Sequence, residues 1–231
     1  MTSLAQRSGK RVKAKPRIRN VGLGFDLREL MADLGDIPLE RVRLQPPPGT
    51  ATVEDVTANN DSESGRGIVE LVDGTLVEKT MGAPEAEAAL ALGGYIFQWN
   101  EDLDFGLALG ADGVVRLFKD TARAPNFAFY RHDRFEGGKY QGQVPWMYSD
   151  LAVEVLSPSN TKREMAKKRR EYFMAGTRPV WEVDLASETV VVYREANRGG
   201  LLKTTDVLNG EDVQPGFKLP IAKWFKRLKL K

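Results

Sequence analysis

Residues 151–156 form the apolar run Leu-Ala-Val-Glu-Val-Leu, which has a carboxylate, Glu154, in its middle. A continuous apolar run is typical of a strand that is buried on both faces of a sheet. Burial of a carboxylate is costly unless its charge is paired, so a chain keeps one there for a reason. We therefore expect a buried central strand, and we expect a functional role for Glu154.

The residues that follow this strand predict a tight turn and then a helix. After a Ser-Pro-Ser sequence, Thr161 and Glu164 have the spacing of a capping box. Along the helix, Met165, Lys168 and Tyr172 share one face, which predicts that Lys168 points inward. The residues leave an alternative open, a solvated basic helix in which Glu164 and Lys168 pair across one turn for about 0.3 to 0.5 kcal/mol.

The composition indicates one sizeable core and excludes several classes of site. The chain has 231 residues, of which 42% are hydrophobic, and a net charge of only +2. It has no cysteine, which excludes disulfides, thiolate metal sites and cysteine nucleophiles. Its single histidine, His132, argues against a serine-histidine triad or a histidine-rich zinc site. With no secretory or membrane-spanning segment in the sequence, we expect a cytoplasmic protein.

The chain is predicted to have three parts. Residues 1–24 are rich in lysine and arginine and predict a flexible basic arm, either a segment that follows DNA phosphates or only a solubilising tail. Residues 25–66 predict a helical and linker extension. Residues 67–231 predict the main folded domain.

Turn residues and apolar runs predict the strands of this domain. Asp73 and Gly74 separate two apolar runs and favour a β-hairpin, on which Glu70 and Glu78 are expected to face outward or lie at an edge. A helix is expected to begin near Pro84, although glycines at 93 and 94 weaken it. Further strands are predicted at 105–109, 114–118, 126–130, 180–183 and 188–193. The order favours an α/β (α+β) fold, a mixed β-sheet flanked by helices with additional β-hairpins.

Five segments in one order resemble the Uma-type restriction endonuclease-like family. These segments are 69–74, 150–159, 172–176, 180–184 and 208–220, and the resemblance covers roughly residues 68–225. It implies a nuclease-like domain of the PD-(D/E)XK superfamily, which cleaves the DNA backbone with one or two Mg²⁺ or Mn²⁺ ions. In such sites carboxylates hold the metal, the metal polarises the phosphate and activates water, and a lysine orients that water.

The resemblance also assigns candidate site residues. Glu154 matches the family's metal-binding glutamate, and Lys168 matches its helix lysine. Asn126 lies where the family has a metal-binding aspartate, which removes one anionic ligand. Glu85 is a candidate third carboxylate, with an ordinary helix-start glutamate as the alternative.

These assignments predict a Mg-dependent DNA endonuclease that is attenuated by Asn126. The alternative is a catalytically inactive nuclease-fold module that binds DNA or a protein. Either function predicts phosphate contacts by the basic residues of the helix, which are Lys162, Arg163, Lys167, Arg169 and Arg170. Many nuclease folds cut as pairs, so a homodimer is also left open.

Overall fold

The computed structural model describes residues 26–61, 67–101, 103–138, 140 and 147–228. The predicted basic arm at 1–24 lies outside the described residues. Within them the chain forms an α+β fold of mixed and antiparallel sheets flanked by helices. The predicted fold class is therefore confirmed.

The boundaries of the regular elements follow the chain order. The α-helices are α1 (Leu27–Leu34), α2 (Val53–Asn60), α3 (Ala83–Glu101), α4 (Lys162–Ala175) and α5 (Ile221–Arg227). The first strands are β1 (Val69–Val72), β2 (Thr75–Glu78), β3 (Gly106–Leu109), β4 (Val115–Phe118), β5 (Thr121–Arg123) and β6 (Phe127–Arg131). The later strands are β7 (Leu151–Val155), β8 (Val180–Asp184), β9 (Thr189–Glu195), β10 (Arg198–Leu202), β11 (Val207–Asn209) and β12 (Lys218–Pro220).

The main sheet places the apolar strand β7 in its interior. Its strand order in the described part of the chain is β10-β9-β8-β7-β6-β3. Strands β7 and β8 are parallel and are joined through α4, while the other neighbouring strands are antiparallel. All five residues of β7 are buried, as predicted. Because side chains alternate along a strand, Ala152 and Glu154 face α4, and Val153 faces the opposite side.

Helices α3 and α5 cover that opposite side of the main sheet. The indole Nε1 of Trp224 in α5 donates to the carbonyl oxygen of Ala88 in α3 at 3.1 Å. Helix α3 continues without a break through Gly93 and Gly94, so these glycines do not end it. A Cβ atom at Gly93 would lie 3.4 Å from the ring of Phe127. The small residue lets the helix approach the sheet closely, and this packing outweighs a low helix propensity.

A second, smaller sheet has the strand order β2-β1-β5-β4 among the described residues. The predicted hairpin between β1 and β2 is confirmed, with Asp73 and Gly74 at φ values of 48° and 73°. These positive values are those required at the two central positions of a type I′ turn. Strand β5 was not predicted from the sequence. Val115 in this sheet packs against Ala128 and Tyr130 of the main sheet, which joins the two sheets.

Residues before β1 pack onto the small sheet. Leu30 and Leu34 of α1 share an apolar cluster with Val72 and Val77, and α2 packs against β1 through a second cluster. The domain boundary placed after residue 66 stays a prediction. No helix within the described ranges is both long and apolar enough to cross a membrane.

Candidate functional site

The predicted pair Glu154 and Lys168 lies between β7 and α4. The Lys168 Nζ donates to Glu154, at 3.3 Å from Oε2 and 3.5 Å from Oε1. Both residues are buried, and the inward orientation predicted for Lys168 is confirmed. The capping box that starts α4 is also present, with Thr161 and Glu164 bonded reciprocally. Glu164 forms an ion pair with Arg41 at 2.8 Å. Because Lys168 is buried, the alternative of a solvated basic face is wrong for this residue.

Tyr172 holds the same carboxylate from the next turn of α4. Its hydroxyl donates to Glu154 Oε1 at 2.8 Å, and its side chain is fully buried. Burial and the carboxylates of Glu154 and Glu70 raise the pKa of Tyr172 well above its usual value. The phenol therefore stays protonated and remains a hydrogen-bond donor.

A second carboxylate, Glu70 of β1, reaches the same lysine. Lys168 Nζ donates to Glu70 Oε1 at 3.0 Å, and the amide nitrogen of Ala124 donates to the same oxygen at 3.1 Å. Glu70 is completely buried, so the expectation of an outward or edge position is wrong. Burial raises the pKa of Glu70, but Lys168 and Arg123 outweigh this effect and lower it to about 2.

Arg123 of β5 continues the buried charge network away from Lys168. It donates to Glu70 Oε2 at 3.0 Å and to Glu171 Oε2 at 2.7 Å. Burial lowers the pKa of Arg123, but Glu171 and Glu70 outweigh it and raise the value. Neither Glu70 nor Arg123 was a candidate from the sequence. A signal existed for Glu70, because it interrupts the apolar strand Val-Glu-Leu-Val just as Glu154 interrupts β7.

Asn126 lies immediately before β6 and opposite Glu154 on the neighbouring strand. Its backbone nitrogen donates to the carbonyl oxygen of Val153, and its Oδ1 accepts from the backbone nitrogen of Val155, both at 2.9 Å. Its Nδ2 lies 3.3 Å from the sulfur of Met81. The structure thus brings Asn126 next to Glu154, but its amide oxygen is engaged by the backbone.

The residues that follow β2 pass over this part of the site. We call residues 79–82 the covering segment. Met81 contacts Asn126 as described, and Thr80 Oγ1 accepts from Ser159 Oγ at 2.7 Å. The backbone nitrogen of Gly82 donates to Glu85 Oε2 at 2.7 Å. Glu85 is therefore placed at the start of α3 with its carboxylate on the covering segment, and no contact links it to Glu154.

Lys79 is the first residue of the covering segment. Its Nζ donates to the carbonyl oxygens of Ala111 at 2.7 Å and Pro125 at 3.2 Å. Burial lowers the pKa of Lys79 to about 8, and the nearby carboxylate of Glu154 only partly offsets this effect. The bond to Pro125 places this ammonium beside the residue that precedes Asn126.

The donors do not fit a divalent cation in the described arrangement. Magnesium prefers a set of oxygen ligands that includes carboxylates. Both oxygens of Glu154 accept hydrogen bonds from Tyr172 or Lys168, and Asn126 brings no charge. Across the described ranges, no group of three histidine, aspartate or glutamate side chains could hold a metal ion. The metal-binding roles of Glu154, Asn126 and Glu85 stay predictions from the resemblance.

The five basic residues predicted to contact DNA differ in their surroundings. Lys162 and Arg170 are exposed on α4. Lys167 binds Asp73 at 2.7 Å and Glu171 at 3.2 Å, while Arg163 binds Asp36 and Arg169 binds Glu182. Contact of these side chains with DNA stays a prediction, and three of them must share their charge with carboxylates.

Comparisons with known proteins agree with the sequence resemblance. The family model Uma2, described as "Putative restriction endonuclease", matches residues 59–222. Among solved structures, the chain is similar to one described as a putative nuclease belonging to DUF820 from Anabaena variabilis. The TM-score is 0.66 at 17% sequence identity, and the alignment covers 77% of this chain and 98% of the other. At this identity the likeness shows the fold. A comparison with curated proteins gave no match.

Proposed function

Because the chain belongs to the Uma2 restriction endonuclease family, we propose that it is a DNA-binding nuclease whose phosphodiester hydrolysis is attenuated. The proposed attenuation rests on one observation. Asn126, an uncharged amide, stands opposite a glutamate whose charge Lys168 already neutralises. The centre therefore lacks the excess negative charge that attracts a hard divalent cation.

The ion pairs around Lys168 support this proposal. Glu70 and Glu154 both pair with Lys168, and Glu70 also pairs with Arg123, which in turn pairs with Glu171. Mutual pairing of buried charges offsets their desolvation only when the geometry is good, and here each group has a close partner. A cation that approached Glu154 would have to compete with Lys168 for it.

The side chains of the centre have distinct roles in this proposal. Burial lowers the pKa of Lys168, but Glu154 and Glu70 outweigh it and raise the value, so the residue remains an ammonium. Lys168 therefore supplies positive charge and hydrogen bonds rather than a base. Tyr172 keeps the Glu154 carboxylate in one orientation by donating to its Oε1.

The exposed cations of α4 provide the first contacts with DNA. Lys162 and Arg170 lie on the solvent side of the helix whose inner face carries Lys168. Contacts of lysine and arginine with phosphates are independent of base sequence. They release counterions condensed on the DNA, and this release is less favourable when the salt concentration is higher. We expect DNA affinity to fall steeply with salt.

The substitution Asn126→Asp tests the attenuation. One oxygen of an aspartate can keep the bond from the Val155 nitrogen, and the other places a charge where Nδ2 now faces Met81. We expect this variant to nick supercoiled plasmid at least about tenfold faster than wild type in Mg²⁺ or Mn²⁺, which corresponds to about 1.4 kcal/mol in barrier height. The double variant Asn126→Asp/Glu154→Ala should lose the gain.

Asn209→Asp is the matched control, because Asn209 is an exposed asparagine on β11, outside the main sheet. It should cleave at the wild-type rate. Equal cleavage by wild type and Asn126→Asp would show that Asn126 does not limit hydrolysis. Binding of DNA without cleavage by any variant would assign the inactive binding module instead. Absence of both binding and cleavage would refute the proposed function.

A further inference from the structure

Lys79 differs from the other cations around the candidate site in its bonding partners. Lys168, Arg123 and Lys167 each form ion pairs with two carboxylates. The Lys79 ammonium instead donates to two neutral backbone carbonyls, and none of the described carboxylates lies within ion-pair distance of it. Lys79 is therefore a mostly buried cation that has no counter-ion among the residues that the structure describes.

This arrangement has an energetic consequence. Removing a charge from water is costly, and the cost is recovered mainly by an opposite charge in good geometry. Two carbonyl dipoles satisfy two of the three N–H groups of an ammonium, and one N–H remains for another acceptor. The bonding of Lys79 therefore favours an anionic ligand.

The position of Lys79 indicates where such a ligand would lie. The bond to Pro125 holds the ammonium next to Asn126, which neighbours Glu154 across strands β6 and β7. The charged groups that face Lys79 are Glu154 on β7, Glu70 on β1, Lys168 on α4 and Asp112 in the loop between β3 and β4.

Neutral hydroxyl groups adjoin this position. Thr80, the neighbour of Lys79, contacts the hydroxyls of Ser157 at 3.3 Å and Ser159 at 2.7 Å, in the turn before α4. Hydroxyl groups and lysine are common ligands of phosphate oxygens in protein complexes with DNA. The Lys79 ammonium and the Thr80 hydroxyl on the covering segment, together with the serine hydroxyls of this turn, fit a phosphodiester.

We infer that Lys79 is a phosphate-binding residue whose ammonium contacts one backbone phosphate of DNA beside Asn126 and Glu154. The inference rests on the proposed binding of DNA and adds a contact outside the basic helix α4. It assigns to the covering segment a direct part in holding the substrate. Lys168 then pairs with the carboxylates, and the Lys79 ammonium contacts the phosphate.

The test measures the salt dependence of DNA affinity for Lys79→Met. Fluorescence anisotropy with a short labelled duplex over a salt series gives the slope of log K against log salt. Loss of one phosphate contact should reduce that slope by about 0.9 and weaken binding several-fold at low salt. Lys79→Arg, which keeps the charge, should retain the wild-type slope. Lys218→Met, at an exposed lysine on β12, is the matched control and should also retain it.

Repeating the affinity measurements at different pH values separates the effect of the Lys79 charge from the effect of its packing. The pKa of Lys79 lies at about 8, so its ammonium is mostly charged at about pH 7 and mostly neutral at about pH 9. The affinity difference between wild type and Lys79→Met should therefore shrink across this range. Thermal melts of each variant identify any that fail to fold, and Lys79→Arg then carries the test through its own slope and pH profile.

Several outcomes would contradict the inference. An unchanged slope for folded Lys79→Met, in a protein that binds DNA, would remove Lys79 from the interface and leave the proposed function intact. Absence of DNA binding by wild type would refute the proposed function itself. Titration with inorganic phosphate distinguishes the source of the anion. Phosphate binding that depends on Lys79 without any change in the DNA slope would overturn the assignment to DNA.

Discussion

Two lysines near Glu154 have opposite kinds of bonding partner. Lys168 on α4 contacts the carboxylates of Glu70 and Glu154, so its charge is balanced within the protein. Within the described part of the chain, the ammonium of Lys79 after β2 donates only to the carbonyl oxygens of Ala111 and Pro125. The pKa of Lys168 is raised by its carboxylates despite burial, and burial lowers that of Lys79 to about 8.

This difference indicates a division of roles between the two cations. A lysine bound to two buried carboxylates contributes mainly to the stability of the packed network, because removing it takes an ion pair from each of them and leaves Glu70 with Arg123 alone. A lysine bound only to neutral dipoles contributes less to stability and more to binding an anion. The two side chains should therefore respond differently to the same substitution.

The largest effect is expected for Lys168→Met. This change leaves Glu70 and Glu154 buried without their common cation, and breaking a buried pair in this way costs about 3 to 5 kcal/mol. Urea denaturation should show this decrease in the free energy of unfolding. The exposed control Lys218→Met should change it by less than about 0.5 kcal/mol. A loss below about 1 kcal/mol for Lys168→Met would contradict the structural role given to this lysine.

An intermediate effect is expected from acid. The folded pKa of Glu70 is about 2, below its usual value near 4.5. Its contribution to stability is complete above about pH 4.5 and is lost as the pH falls toward 2, because the unfolded state then binds the proton more tightly. A shift of this size corresponds to roughly 3 kcal/mol.

The free energy of unfolding, measured between about pH 5 and pH 2.5, should fall more steeply for wild type than for Glu70→Gln. Glu195→Gln, at an exposed glutamate of β9, should keep the wild-type slope. Parallel pH profiles for wild type and Glu70→Gln would show that the surrounding cations do not lower the pKa of Glu70.

The smallest effect is expected for Lys79→Met. The variant loses two hydrogen bonds to carbonyl oxygens but also removes a buried charge that lacks a counter-ion, so these changes oppose each other. We expect the free energy of unfolding at about pH 7 to change by less than about 1 kcal/mol. A loss as large as that of Lys168→Met would abolish the distinction between the two lysines.

The difference in unfolding free energy between wild type and Lys79→Met should also depend on pH. Between pH 8 and about 10.4 the unfolded lysine binds a proton that the folded one has released, so wild-type stability rises with pH relative to Lys79→Met. Denaturant midpoints measured across this range test the rise. A constant difference would show that Lys79 keeps its normal pKa in the folded protein.

Local sequence rules predicted several parts of this protein. The capping box at Thr161 and Glu164 starts α4, and Asp73-Gly74 forms the hairpin turn. The spacing of Met165, Lys168 and Tyr172 gave the buried face of α4. Each of these features depends on residues within a few positions of one another, so the sequence is sufficient to identify it.

Only the tertiary structure decided how the buried charges are partnered. Lys168 meets Glu70, which is 98 positions earlier in the chain, and Arg123 meets Glu171, which is 48 positions later. Glu70 was expected to face outward because nothing local shows that α4 covers β1. The bonding of Lys79 likewise depends on three separate segments.

The sequence by itself thus predicted most of the elements and selected Glu154 and Lys168, through an interrupted apolar strand and a helical period. The tertiary structure decided which charges pair with one another and which buried lysine bonds to carbonyl oxygens instead. The physical reason is the distance along the chain over which each interaction acts. Propensity, capping and turn geometry act between neighbours in the chain, whereas the free energy of a buried charge depends on all groups packed around it.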